Sequence, residues 1–166
     1  VKALFRVALV PLAVLFLDQL TKLWVVKTLP YGAQRRIIEG FFNLVHGRNR
    51  GVAFGLFADG GPVSQLLLLL LVVLLSLFVA VELWRLRHQP LPSWALGLIL
   101  GGACGNLADR LFRGEVVDFL DFYLHLGGKA YHWPAFNVAD TAVSVGAVLL
   151  LGAELLRRPA STASGA

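Results

Sequence analysis

One cysteine, ten acidic residues and four scattered histidines are all that this 166-residue chain offers to the commoner catalytic and metal-binding chemistries. A lone cysteine excludes a disulfide within the chain. Cys104 has no activating base beside it in sequence and reads as an inert thiol buried in a face of small residues. His46, His88, His125 and His132 show neither an HExxH spacing nor a paired-cysteine pattern, so neither a metal site nor a cofactor is expected. No GxSxG, Ser-Lys arrangement or phosphate-binding loop is present. Internal repeats and a low-complexity linker are also missing, and the length has no room for a second domain.

What the chain does have is apolar length. Hydrophobic residues make up 57% and charged residues 15%, with a mean hydropathy of +0.72. That is the balance of a membrane protein. A span needs roughly 20 apolar residues, and four runs qualify: Leu4 to Val26, Val63 to Trp84, Trp94 to Phe112 and Asn137 to Leu156. The first could be mistaken for a cleavable leader, but Asp18 and Lys22 inside it and the lack of a small-x-small cleavage site predict a retained helix. The expected fold is an integral membrane, mainly α protein, one four-helix domain over residues 1–158 with a disordered cytoplasmic tail at 159–166.

Two long connections, residues 27–62 and 113–136, separate helices one from two and three from four, whereas HQPLPS is a short turn between helices two and three. In the first, Ile37 to His46 and Gly51 to Gly55 are short runs punctuated by glycine, which predict strands of a small extracytoplasmic platform. The second is expected as a loop. Four crossings put both ends on one side. Six of the fifteen basic residues (Lys2, Arg6, Arg85, Arg87, Arg157, Arg158) lie there, tight against helix ends, and the other nine are spread through the long loops or motifs. Proximity to helix ends favours cytoplasmic termini although the raw count does not. The net charge of +5 suits anionic lipid headgroups rather than nucleic acid.

Ionisable residues in a span are functional candidates by default. Asp18 and Lys22, four apart with the acid first, can form an intrahelical ion pair; the structural reading leads and direct chemistry is the lesser one. Gly101 and Gly105 form a GxxxG spacing for close helix packing. Asp109 and Arg110 either mark where the third helix meets the interface, satisfied by water or by each other, or belong with Asn106 to a site. Asn137 and Asp140 read as a capping box, yet a carboxylate at a helix N-terminus is also held charged, as a general base requires. Asp118, in VVDFLDF, has apolar neighbours that drive a carboxyl toward its neutral form. Asp121 reads as an interfacial charge.

The stretches Asp18-Gln-Leu-Thr-Lys22, Asn49-Arg-Gly-Val-Ala-Phe-Gly55, Gly105-Asn-Leu-Ala-Asp-Arg110, Val116-Val-Asp-Phe119 and Phe136-Asn-Val-Ala-Asp140, in this order, resemble the motif series of the bacterial lipoprotein signal peptidases, signal peptidase II. The resemblance implies an intramembrane aspartyl endopeptidase that cuts prolipoproteins before a diacylglyceryl-modified cysteine. It implies Asp118 and Asp140 as the catalytic pair, with Asn106, Asp109, Arg110 and Asn137 lining the site and Asp18, Lys22, Asn49 and Gly51 supporting it. Arg50, between Asn49 and Gly51, is the visible departure. It further implies a monomer among membrane lipids in the bacterial inner membrane, with its site near the outer surface. Two carboxyls sharing a proton can hydrolyse a peptide bond without a metal. The other class the residues allow is a small proton- or ion-coupled transporter with Asp18, Lys22, Asp118 and Asp140 as a relay. Against it stand the missing inverted repeats.

If Cys104 only packs, Cys104→Ser should keep nearly full peptidase activity, and thiol reagents and chelators should leave the purified enzyme active. A folded serine variant without turnover would revive a thiol mechanism.

Overall fold

The computed structural model describes residues 2–51 and 61–156. The Gly51 to Gly55 strand expectation, apart from Gly51 itself, and the tail at 159–166 lie outside these residues. Four helices are long and apolar enough to cross a membrane. We name them α1 (Val10–Thr28), α2 (Pro62–Arg85), α3 (Pro90–Arg113) and α4 (Val138–Leu155). A π-helical turn, Phe5–Leu9, leads into α1 just before Pro11, which has no N–H to give to a regular helical ladder. The second and fourth spans begin and end within a residue or so of expectation.

The third span starts earlier than expected, because HQPLPS is only partly a turn. Gln89 is the N-cap, and Pro90 and Pro92 fall in the first helical turn, where a missing backbone N–H costs nothing. α3 ends at Gly114, whose φ of +78° is the left-handed conformation that closes a helix.

α3 is the central element, packed against α1, α2 and α4. Lipid supplies no hydrophobic drive between helices, so close van der Waals fit must hold them. Its glycines provide that fit at four-residue spacing. A Cβ on Gly101 would lie 2.6 Å from Val14 Cβ and 2.8 Å from the Pro11 carbonyl oxygen, and one on Gly105 would lie 2.6 Å from Asp18 Oδ2. Gly102 faces Ala139 and Val143 of α4 instead, and Gly146 of α4 returns the contact against Ala95 and Ile99. The outward leucines of α2, such as Leu67, Leu71 and Leu74, are exposed, as a lipid-facing surface requires.

Above one end of the bundle lies a four-stranded antiparallel sheet in the order β1-β2-β3-β4, with β1 Gln34–Ile38, β2 Phe42–Asn49, β3 Val116–Leu126 and β4 Lys129–His132. The second connection, expected as a loop, therefore contributes half the sheet. β3 is buried along most of its length, so its sequence lacks the alternation that marks a half-buried strand. Gly127 and Gly128, at φ +57° and +78°, make the tight turn into β4. Val117 and Phe119 pack with Val25 near the end of α1, joined by Leu29, Leu44, Leu120 and Val138. This cluster fixes β3, and Asp118 between the two, over the bundle. Asp118 stands opposite Gly47 in the β2–β3 register, beside a bulge between Leu44 and Gly47.

Gly101→Ala should lower stability by about 1–3 kcal/mol, the cost of overpacking a site that cannot yield. Gly152→Ala, with nothing within 4 Å of the added carbon, should leave it unchanged or higher. Thermal unfolding in detergent compares the two, and equal midpoints would overturn the close-packing account.

Candidate active site

The site lies where the sheet meets the bundle, and it is built from the polar groups of α1 upward. Asp18 and Lys22 are fully buried, and Lys22 Nζ sits 2.8 Å from Asp18 Oδ2 and 2.9 Å from Asp109 Oδ2. A buried cation in lipid must be met in this way. Asp109 is also fully buried, so of its two readings the interfacial charge satisfied by water or by Arg110 does not hold. It pairs with Lys22 and Arg113, and its Oδ2 accepts the Val117 N–H at 3.1 Å. Asp18 Oδ1 accepts the Ala139 N–H at the start of α4 at 2.9 Å. The charge cluster thus binds α1, α3, α4 and β3 together.

Lys22 has a third partner, Asn106 Oδ1 at 2.9 Å. An ammonium can only donate, so the Asn106 oxygen must face it and the amide NH₂ must face the other way. There Nδ2 donates to Asp140 Oδ1 at 2.7 Å. Asn137 is oriented by similar logic. It caps α4, its Oδ1 accepting the Asp140 N–H at 2.9 Å, while Asp140 Oδ2 accepts the Asn137 N–H at 3.2 Å, the expected capping box. Asn137 Nδ2 is left to donate to Asp118 Oδ1 at 2.8 Å. Two asparagines with fixed amides therefore serve the two carboxylates, one each, and touch each other at 3.2 Å.

Asn49 also lies close enough to Asp118 to favour its charged form. Its Oδ1 accepts the Gly51 N–H at 2.9 Å, and Arg110 donates to the Gly51 carbonyl at 2.5 Å. Burial first, and then the negative charge of Asp140, push the Asp118 carboxyl from its ordinary value to about 7, against the pull of Asn137, Asn49 and Lys22. Asp118 is 6% exposed, whereas Asp140 is half-buried at the positive end of the α4 dipole. The pair is a buried carboxyl that resists ionisation beside one placed where charge is favoured.

All ten residues singled out in the sequence come to this region, in three connected groups: Asp18, Lys22 and Asp109; Asn106, Asn137, Asp118 and Asp140; Asn49, Gly51 and Arg110. Gln19 and Asp121 join them, which the sequence reading does not place in the region. Gln19 donates from Nε2 to Asp18, Asp109 and the Gly105 carbonyl, each at 3.1 Å, and its Oε1 accepts from Arg113 at 2.8 Å. The signal was present, since an amide inside an apolar span needs partners there. Asp121 is a correction: far from being a solvated interfacial charge, it is 6% exposed and held by Asn43 Nδ2 and His132 Nδ1, both at 2.8 Å. Cys104 is half-buried rather than buried. Among the described residues no group of three or more His, Cys, Asp or Glu could hold a metal ion.

The sequence profile described as "Signal peptidase (SPase) II" matches residues 10–156. Similar relatives are the lipoprotein signal peptidase of Ralstonia nicotianae, 51% identical over 86% of this chain and 80% of that protein, and that of Burkholderia thailandensis, 49% identical over 89% and 86%. That of Cupriavidus necator is 48% identical over 88% and 81%. A bacterial membrane enzyme solved by the in meso method at 2.3 Å superposes with a TM-score of 0.75 at 26% identity, covering 96% of this chain and 93% of that one. A second, at 1.9 Å, gives 0.70 at 28% identity, covering 92% and 94%. With a matching profile over nearly all of the described chain and relatives at about half identity over most of it, the chain belongs to the signal peptidase II family.

Proposed function

We propose that Asp118 and Asp140 are an aspartyl dyad that removes signal peptides from prolipoproteins, cleaving just before the diacylglyceryl-modified cysteine. The observation that carries this reading is the matched pair of amide contacts, Asn137 to Asp118 and Asn106 to Asp140, on two carboxyls of which Asp118 is buried and pushed up to about 7. The chain is a multi-pass protein of the bacterial inner membrane. In the proposed reaction Asp140, ionised, takes a proton from water as its oxygen bonds to the scissile carbonyl carbon, and Asp118 donates its proton to the carbonyl oxygen. The tetrahedral intermediate then collapses. The C–N bond breaks, Asp140 passes its proton to the leaving amine, and Asp118 recovers one from the hydroxyl that becomes the new carbonyl.

Asn106, Asn137, Asn49 and the Lys22 cluster would hold the two carboxyls in position, and Arg110 would fix the Gly51 turn beside Asp118. An ion relay finds less support, because Lys22 is closed in by Asp18, Asp109 and Asn106. The even number of spans puts the chain ends opposite the sheet. We place the ends in the cytoplasm and the dyad near the outer surface, where water, an extended peptide and a lipid tail can all arrive, and we take the protein to work as a monomer among lipids.

Purified protein should release the signal peptide from a lipid-modified precursor and not from the unmodified one; equal cleavage of both would remove the lipid from the specificity. Asp118→Asn and Asp140→Asn should each lose several orders of magnitude in rate, with the double variant little worse than either, since groups acting as a unit are non-additive. Appreciable cleavage by either single variant would sink the dyad. The rate should also fall as pH rises through about 7, when Asp118 loses its proton. The stability effect has a definite sign. The native carboxyl holds its proton up to about 7 while the unfolded one releases it near its ordinary value of 3.8, so stability declines over that window as pH rises. Asp118→Asn removes this loss and should unfold at a higher temperature than wild type at pH 8, with the gain shrinking toward pH 4.

Orientation has its own test. Single cysteines placed near residues 45 and 125 in a Cys104→Ser background should react with a membrane-impermeant reagent in intact cells. Labelling only after lysis would invert the topology.

A further inference from the structure

The proposed proteolysis gives Arg48 and Arg50 no part, and they stand beside Arg110 and Arg113 at the sheet-side end. Arg48, Arg50, Arg110 and Arg113 gather where α2 begins and α3 ends, on the side opposite the chain ends. A cavity of about 400 Å³ opens among them, lined on its polar side by Arg50, Arg110, Arg113 and Glu115 and on its apolar side by Leu66 and Leu69 of α2. Glu115 takes Arg48 at 2.6 Å and Arg50 at 3.4 Å. Arg113 pairs with Asp109, a carboxylate already shared with Lys22. The negative charges felt by Arg110 are Asp140, Asp118 and Asp109, none of them within ion-pair distance among the described residues. Among the described residues its terminal nitrogens reach only the backbone carbonyls of Gly51 and Asn106, and its Nε is buried with no hydrogen-bond partner. The cavity wall therefore carries more guanidinium than carboxylate.

Basic and apolar walls select a ligand with both characters. Leu66 is 54% exposed at the top of the lipid-facing surface of α2, so the apolar wall runs on into the surface that hydrocarbon chains cover. Planar guanidinium groups suit phosphate oxygens geometrically. We propose that this cavity seats the phosphate of a membrane phospholipid, with its acyl chains lying down the α2 face and its headgroup neutralised by Arg50, Arg110 and Arg113. If the reading under Proposed function holds, the lipid on the substrate cysteine is a neutral diacylglyceryl thioether. It has no phosphate for these arginines, and the bound phospholipid is then a second lipid, separate from the substrate.

The test uses the full chain purified in a neutral, phosphate-free detergent, with three probes at equal concentration: dioleoyl phosphatidylglycerol, dioleoylglycerol and inorganic phosphate. Thermal midpoint and lipid retention by native mass spectrometry are read. Phosphatidylglycerol should raise the midpoint saturably and remain at one molecule per chain, while the other two do neither. Arg50 is 71% exposed, so Arg50→Gln should fold normally. It should weaken apparent affinity about fivefold, and Glu115→Gln, which removes the competing carboxylate, should strengthen it by about the same factor. An equal response to dioleoylglycerol, or affinity indifferent to both substitutions, overturns phosphate recognition. A shift by inorganic phosphate alone with the same Arg50 dependence would reassign the cavity to a free anion. None of these readouts requires cleavage, so they stand apart from the fate of the dyad.

Discussion

The burial of Lys22 between Asp18 and Asp109 is the constraint on which the rest of the site depends. In a low-dielectric interior an unpaired ammonium is excluded, so the helices carrying its partners must come together and stay together. Gly105 lets this happen, since any side chain there would strike Asp18. Each acid then has a second oxygen for the backbone, which Asp18 offers to Ala139 of α4 and Asp109 to Val117 of β3. One neutralised cluster thus places the two elements that carry Asp140 and Asp118. It also sets an amide: because Lys22 takes the oxygen of Asn106, the nitrogen is committed to Asp140. Charge neutralisation below becomes hydrogen-bond orientation above, with no metal ion needed to impose it.

Much of this was legible in the sequence, and the limits have physical causes. The spans were readable because lipid demands an unbroken apolar length, and their ends failed only where local chemistry overrode composition, as when Pro90 and Pro92 entered α3 in place of a turn. The capping box of Asn137 and Asp140 was readable because it is local. β3 was missed because a strand covered on both faces has no alternation to detect. Asp121 was misread for a related reason: its partners Asn43 and His132 sit on the strands flanking β3, and no sequence spacing reveals them. The Asp18 and Lys22 pair was visible at its four-residue interval, but the third member, Asp109, reaches it only through helix packing. Gln19 shows the same boundary from the other side. It lies inside a quoted motif, and only the fold shows why an amide is there.

The two carboxyls also differ in the kind of backbone that holds them, and this difference bears on their chemistry. Asp140 stands in the first turn of a helix, where unpaired N–H groups and the dipole favour negative charge. Asp118 stands in a strand between Val117 and Phe119, buried residues that dock over Val25 and leave little water to solvate an anion. A pair on one helix would share one field and ionise under similar conditions. Drawing one carboxyl from a helix start and the other from a buried strand sets their fields apart. The fold element that the sequence disguised most, β3, is therefore the one that gives the pair its asymmetry. Its position over the bundle rests on the Val25 cluster and on the Asp109 contact to Val117, which ties it to the charge cluster around Lys22.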